Sequence, residues 1–554
     1  MEPQELALDL VREFNLAATR RGIWENHWEQ VARVVLPYYS TSFYAQGNMT
    51  PGLKRNQFQF DVTANTALWR FAAAMESELT PANSQWHRIR PSDPYFEKFP
   101  EVRRWYDLVN DTLFRYRYSP HSGFQANMHD GYASIGAFGT SCLFTDAFAD
   151  PARPEIKGLR YRQVYLGELF YATNHQGQVD KVFRRFKMTL RQLLQKFGQA
   201  ALPADFLTKL ERNPEEEVQV IHVCQPNTRY EPGTLDSRAF RFSSHYVLLE
   251  RKHLLQEGGF RTFPYAISRY VLAPGEIYGR GPAMNVLPSI NVLNEEKKVI
   301  LKAGHRAVDP VLRVHDDGIL DGFSLKPGAL NSGAVSSDGR PLIHPLPVGD
   351  LNIGKELLDD ERAVINDAFL VTLFQILVQT PQMTATEVIE RASEKGALLS
   401  PTMGRFQSEA LGPLIEREFD LLMSQGCIPP PPRILVEARA EYKVEYDAPL
   451  NRQMKAAATA GIMRTVSWTA ETASQAQDPT LMDNFNFDVI IPDVADTQSV
   501  PFRYLATPEE KQAKRQKREQ DQQGAQLAQA LPGIAAMTKA VQPQGGAPSL
   551  GGGR

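Results

Sequence analysis

Apolar positions along the chain change period twice, and these changes divide it into a helical start, a sheet-forming stretch and a second helical half. Trp24, Trp28, Val31 and Val35 recur at helical spacing until Pro37. Leu68, Phe71, Ala72, Met75 and Leu79 repeat the pattern between an expected N-cap at Asp61 and a stop at Thr80-Pro81. Trp86 to Arg90 reads as a short strand. Helices are expected over Val102 to Tyr116 and Phe124 to Ala137, the latter ending before Gly139 and the apolar run Cys142 to Phe144.

From Leu159 to Tyr270 the period becomes two. Tyr161 to Val164, Leu169 to Thr173 and Val179 to Lys187 read as strands, and Asn174-His175-Gln176-Gly177 supplies turn chemistry for a hairpin. Thr189 caps a short helix to Phe197, after which Val218 to Cys224, His245 to Glu250 and Ala266 to Leu272 resume strand character. The reading is α+β and predominantly helical.

After the punctuated turn GEIYGRGP at Gly275 to Pro282, helical spacing returns. Ile290, Leu293, Ile300 and Ala307 share one face and Lys298, Lys302 and Arg306 form an i, i+4, i+8 row, which predicts a helix from about Pro288 to Val308. At 1.5 Å per residue it is roughly 30 Å long. Asp309-Pro310 ends it, and residues 311 to 354 hold seven glycines and four prolines with short strand-like pieces such as Val311 to Val314. A second helix is expected from about Leu351 to Gln379. Leu358, Ile365, Phe369, Leu373, Ile376 and Leu377 lie on one broad side of it, with Asp360, Glu361, Asp367, Thr372 and Gln375 on an opposite arc. Thr380-Pro381-Gln382-Met383 breaks it. Thr384, with Glu387 at capping-box spacing, or Thr386 caps a further helix that runs, past a break near Ser400-Pro401, to Met423, with Gly426 as C-cap and Pro429 to Pro432 forbidding continuation.

Residues 440 to 503 read as a small helical unit with helices over Met454 to Met463 and Ser467 to Ala476. From Thr507 a charged helix, KQAKRQKREQDQQGAQLAQA, gives way to a Gly-rich end with the composition of a flexible segment.

Composition narrows the function. A chain of 554 residues suggests three or four domains, and 42% hydrophobic against 23% charged residues is ordinary for a folded protein. A formal net charge of -3 gives no overall basic field, so any contact with DNA must come from local patches or geometry. Cys142, Cys224 and Cys427 are far apart without CxxC spacing, which fits a reducing compartment and excludes a zinc ribbon. The acidic start MEPQELALDLVREF lacks export-signal character. The most apolar window, Ala363 to Val378, is interrupted by Asn366, Asp367, Thr372 and Gln375 and is too short to span a bilayer.

Signs of chemistry are sparse. Gly349 to Glu356 matches GxxxxGK, but Glu356 stands where Ser or Thr should ligate magnesium, so Gly354-Lys355 reads better as a helix start than as a phosphate loop. The histidines, among them His27, His121, His129, His222, His245, His305 and His315, make no HExxH or HxH pair. Asp316-Asp317 lacks calcium-loop spacing, and Ser134 and Ser141 lack a GxSxG elbow. The basic run Lys511 to Arg518, interleaved with Gln, reads as a solvated helix face before a nucleic-acid contact. Trp24/Trp28 and Phe183/Phe186 read as core before base-stacking platforms. No cofactor, metal site or catalytic residue is expected.

Five stretches together carry a family resemblance: RRGIWENHWEQVARVVLPYYS, FDVTANTALWRFAAAMESELTPANSQWHRIRP, ELFYATNHQGQVDKVFRRFKMTLRQLLQKFG, GEIYGRGPAMNVLPSINVLN and MTATEVIERASEKGALLSPTMGRFQSEALGPLIEREFDLLMSQG. In order and spacing, over roughly residues 15 to 435, the chain resembles the portal, or head-to-tail connector, proteins of short-tailed bacteriophages. The resemblance implies a dodecameric ring at one capsid vertex of the virion, assembled in the host cytoplasm, around a channel for double-stranded DNA. It implies a wing over 1–280, stem helices over 281–308 and 355–378, and a clip over 309–354. A tunnel loop over 379–384, a kinked wing helix with a Pro-rich link over 385–439, a crown over 440–506 and a tail over 507–554 complete the plan. Implied partners are the large terminase subunit, a tail adaptor, and the major capsid and scaffolding proteins, with no membrane.

On that plan the channel candidates are Lys298, Lys302, Arg306, Asp360, Glu361, Asp367, Gln379, Thr380 and Gln382, and the docking candidates in the clip are Arg313, His315, Asp316, Asp317, Lys326 and Arg340. Carboxylates on the second helix would repel phosphate and let DNA slide. Competing readings are another structural virion protein, such as a tail or internal core component, and a DNA-processing ATPase using the turn at Gly354-Lys355.

Overall fold

The computed structural model describes residues 3–39, 43, 52–148, 153, 155–234, 236–315, 324–347, 351–375, 401–447, 449–497, 504–506 and 510–521. Contacts divide the chain into two compact units, one of 1–90, 108–430 and 443–464, the other of 91–107, 431–442 and 465–554.

In the first unit α1 (Pro3–Val34) and α2 (Thr63–Leu79) lead to β1 (His87–Pro91). Helix α3 (Pro100–Arg117) precedes α4 (Phe124–Phe138), β2 (Thr140–Ala147), β3 (Leu159–Gln163), β4 (Leu169–Thr173) and β5 (Val179–Thr189). Then come α5 (Leu190–Phe197), α6 (Ala204–Arg212), β6 (Glu217–Pro226), β7 (Phe242–Leu248), β8 (His253–Phe260) and β9 (Tyr265–Arg269). The expected cap at Asp61 is met one residue out: its Oδ1 accepts the Thr63 N–H at 2.8 Å. Thr189 and Gln192 close a capping box at the start of α5.

Strands β4 to β8 form an antiparallel meander of five, and β3, β2 and β9 a second sheet of three. Period-two alternation explains how the meander is covered on both faces. Phe183, Ile221, Val223 and Val247 pack under Ala7, Leu10, Val11 and Phe14 of α1. Val218, Val220, Tyr246 and Leu248 pack under Leu190, Leu193 and Phe206 of α5 and α6. Each such side chain contributes about 1.5–3 kcal/mol of burial, so neither face is marginal. Strand β8 and helix α6 are absent from the sequence reading. Gly258 and Gly259 dilute β8, and Pro203 and Asn213 leave α6 only nine residues.

The chain then crosses the C-terminus of α4. Gly139 has φ +72°, and a Cβ at Gly281 would lie 2.6 Å from the Ile135 carbonyl oxygen, so the turn GEIYGRGP needs glycine where two backbones touch. Tyr278 of that turn packs edge-on against Trp28 at 5.2 Å. Helices α7 (Pro282–Asn285) and α8 (Leu287–Val308), strands β10 (Leu312–Val314) and β11 (Ile343–Pro345), and helices α9 (Leu351–Ala368) and α10 (Val371–Gln375) follow.

The single helix expected to Gln379 is broken. Leu370 takes a left-handed φ of +58°, which costs a non-glycine residue roughly 1–2 kcal/mol and separates α9 from α10. Residues 376–400, including the expected tunnel loop and the helix start at Thr384 or Thr386, lie outside the described residues. Helix resumes at 401–424 and contains one π turn, Gln407–Leu411. Pro413 explains that turn: it has no N–H to give the Glu409 carbonyl, and the Gly412 N–H reaches back to Gln407. Gly426, at φ +69°, ends the helix as expected.

In the second unit Asp93 caps a 3-10 turn at Pro94–Lys98 and Asp478 caps another at Pro479–Asn484. The two helices expected within 454–476 are one continuous helix, Pro449–Ala476, which runs from the first unit into the second, since Arg464-Thr465-Val466 between them contains no breaker. In the charged helix, described at 510–521, Arg515 and Lys511 pair with Asp488.

Candidate functional site

The sequence offers no catalytic constellation, and among the described residues no group of His, Cys, Asp or Glu side chains is arranged to hold a metal. No helix among them is long and apolar enough to cross a membrane. What stands out is a helical hairpin of α8 and α9.

The two helices run antiparallel. Near the root Asn294 of α8 and Arg362 of α9 both bind Asp61, and farther out Ile300 lies against Gly354. The β10–β11 pair closes the far end, with Leu312 opposite Pro345 and Val314 opposite Ile343. The clip-like insert is therefore carried on the tip of a helical pair. Gly354 and Lys355, the remnant of a phosphate-loop pattern, lie inside α9.

A loop from the helical start of the chain fixes the root. The Asn294 side chain accepts the Phe60 N–H at 2.7 Å and donates to the Phe58 carbonyl at 2.7 Å. Arg362 reaches Asp61 Oδ2 at 2.8 Å. Burial pushes the Asp61 carboxyl up, but hydrogen bonds from Thr63 and Arg362 outweigh it and hold the group below its ordinary range. Leu287, Ile290 and Leu293 bury the first turns of α8.

Beyond the root the hairpin has four distinct sides. At 100° per residue, Lys298, Lys302 and Arg306 project from α8 away from Ile300 and hence away from α9. Lys298 is partly engaged with Glu295 at 2.9 Å and sits over the Phe60 ring, whereas Lys302 and Arg306 are exposed. Asp360 and Asp367 project from α9 on the side opposite buried Leu358 and Ile365, while Glu361 is half-buried at the edge. Asp367 also accepts the Thr372 hydroxyl at 2.6 Å, bridging the break at Leu370. The basic and acidic rows thus occupy opposite sides of one hairpin. Neither row meets the other.

On the two remaining sides α8 presents exposed apolar residues, and α9 does so on one of them, its other flank carrying Asp359 and Asn366. Val292 and Val299 lie seven residues apart on one flank of α8, Leu301 and Val308 on its other flank, and Leu357 and Val364 repeat the spacing on α9. Val299 is 61% and Val308 88% exposed. Aligned at helical spacing, these residues form apolar stripes on an exposed hairpin. The sequence reading missed them, although their seven-residue spacing was visible. It also missed Asn294, and read Asp61 as a helix cap without its bond to Arg362.

Of the docking candidates, Arg313, His315, Lys326 and Arg340 are exposed on the insert. Asp316, Asp317, Gln379, Thr380 and Gln382 lie outside the described residues.

Comparison with known proteins identifies the family. A family model described as bacteriophage head to tail connecting protein matches residues 9–505. The chain is 28% identical over 530 residues to a protein described as a probable portal protein of Bordetella phage BPP-1, covering 94% of this chain and 93% of that one. It is 26% identical over 528 residues to the portal protein of Salmonella phage epsilon15, covering 93% and 92%.

Proposed function

Because the chain belongs to the bacteriophage head-to-tail connecting protein family, we propose that it serves as the portal of a phage head: a ring at one capsid vertex, through whose centre double-stranded DNA is packaged and later ejected. The observation that carries this is the α8–α9 hairpin, with exposed apolar residues on both flanks of α8 and one flank of α9, and charged rows on its two other faces. In a ring the flanks of neighbouring hairpins cover one another, and one charged row faces the hole.

We assign the hole to α9. Asp360 and Asp367 then repeat around the axis, and their repulsion of phosphate keeps DNA from adhering to the wall. Lys302 and Arg306 face outward on this arrangement. The insert at the hairpin tip, with Arg313, His315, Lys326 and Arg340, is the surface for the packaging motor and then for a tail adaptor. The helical start and the two sheets form the wing toward the capsid and scaffolding proteins. Subunit number is twelve on this reading, with assembly in the host cytoplasm.

Energy for transport comes from the docked motor, not from this chain. Gly354 and Lys355 lie inside α9, with residues 351–353 already helical, which speaks against the glycine-rich loop that would wrap a phosphate. Purified protein should form rings with a central hole in negative-stain images and should hydrolyse no ATP. A preparation that stays monomeric in every condition, or ATP hydrolysis abolished by Lys355→Ala, would overturn the reading.

A further inference from the structure

Away from the hairpin, a cleft of about 700 Å³ opens between the β4–β5 turn, the β8–β9 connection and the helix over 401–424. Its floor is a braced ion pair. Arg269 gives Nη2 to Glu409 Oε1 at 2.7 Å and Nε to Oε2 at 3.1 Å, while Nη2 also reaches the Gly177 carbonyl at 3.1 Å. The Arg269 backbone N–H adds a bond to Glu409 Oε2 at 3.1 Å. Both charges are spent on holding three walls of the cleft together, and the π turn set by Pro413 carries Glu409.

Three more guanidinium groups line the same cleft. Arg241, Arg261 and Arg405 have no acidic partner among the described residues, and Glu416 is the one lining carboxylate outside the braced pair. Elsewhere in the same unit surface arginines are matched: Arg191 with Glu215 and Arg251 with Asp205, each at 2.7 Å. A surplus of cations confined to a concave site is a different matter from a solvated face, because low-dielectric walls focus the field.

Beside the arginines the lining is apolar. Phe242 and Phe263 pack ring to ring at 5.1 Å, both half-buried, and Val179 and Leu272 extend the patch. Arginine forks beside an apolar patch suit a peptide in which carboxylates flank a large apolar side chain. A DNA duplex cannot enter a cleft of this size. The two phenylalanine rings are tilted 52° to each other and half-buried, which suits an apolar side chain better than a flat base.

We propose that this cleft docks an acidic peptide segment of a partner protein, with an apolar side chain on Phe242 and Phe263 and carboxylates on Arg241, Arg261 and Arg405. The site lies apart from the hairpin, so it stands whether or not the channel assignment holds.

Fluorescence anisotropy on the full chain tests it, with a fluorescein-labelled peptide Gly-Glu-Asp-Leu-Glu-Asp-Phe-Glu, its Gln/Asn counterpart and a labelled oligothymidylate, all at about 50 mM salt. The acidic peptide should bind about tenfold or more tightly than the neutral one. Arg405→Glu, and separately Arg241→Glu with Arg261→Glu, should each weaken it by about tenfold, while Arg191→Glu changes nothing. If charge reversal disturbs folding, as seen by circular dichroism, Arg405→Gln and Arg241→Gln should still weaken binding. Equal binding of acidic and neutral peptides, or indifference to the arginine variants, would overturn the proposal. So would oligothymidylate binding more tightly with the same arginine dependence, which would make the cleft a nucleic-acid site.

Discussion

Gly354 of α9 packs directly against Ile300 of α8: a Cβ at position 354 would lie 2.9 Å from Ile300 Cδ1. The obstacle is the end of a flexible side chain, and alanine at an interior helical position gains about 1 kcal/mol over glycine. Gly354→Ala should therefore leave the urea midpoint almost unchanged. Gly354→Trp overfills the contact and should cost about 1–3 kcal/mol, read as a lowered midpoint with an unaltered slope. A large loss from Gly354→Ala would mean that Ile300 cannot yield.

The apolar flanks make a sharper prediction. Val299→Asp and Val364→Asp place a charge where a neighbouring hairpin is expected, yet each position is exposed in the single chain. Gel filtration with light scattering should find folded subunits that no longer form rings, with unchanged circular dichroism. Rings that persist in both variants would mean that these flanks face solvent.

The opposed charged rows separate two sides of the proposed wall. In assembled heads Asp360→Lys should slow DNA packaging severalfold, because each subunit would then offer an ammonium to passing phosphate, at about 1 kcal/mol per close contact in water. Lys302→Glu, on the other side, should leave the packaging rate intact. Reversed sensitivities would move the hole to the α8 side.

Stability should fall on mild acidification because of His222. It is 1% exposed, with Nδ1 at 2.5 Å from the Tyr265 hydroxyl and Nε2 at 2.9 Å from Ser244 Oγ. Burial, reinforced by Lys196 and Arg184, holds its pKa well below the usual histidine value. The unfolded chain takes up a proton near pH 6.5 and the native chain does not, so the stability is complete above that value. It is lost as pH falls from there toward the native pKa, by up to ~1.4 kcal/mol per pH unit. His222→Gln should flatten the dependence of the urea midpoint between about pH 6.5 and 5 relative to wild type. Parallel profiles would show that His222 does not titrate on unfolding.

The hairpin was legible in the sequence because both helices carry long amphipathic repeats and the insert between them is rich in Gly and Pro. The meander was legible as far as its alternation held, which is why β5 and β6 emerged and β8, with Gly258 and Gly259, did not. The break at Leu370 had no signal, since leucine is a poor left-handed residue and only the surrounding fold imposes that conformation. Nor could spacing reveal that Asn294 holds the loop at Phe58 to Asp61, because the partners are 234 residues apart. The opposition of the basic and acidic rows needed the relative rotation of α8 and α9. A helical wheel treats each helix alone.

The central claim is that neighbouring hairpins close a ring with α9 toward the hole. An electron cryo-microscopy reconstruction of the assembled protein, viewed down its symmetry axis, tests it most directly. The account predicts a closed ring whose narrow wall presents Asp360 and Asp367, with Val299 and Val364 buried between subunits. An open or non-cyclic assembly, or a wall lined instead by Lys302 and Arg306, would contradict it.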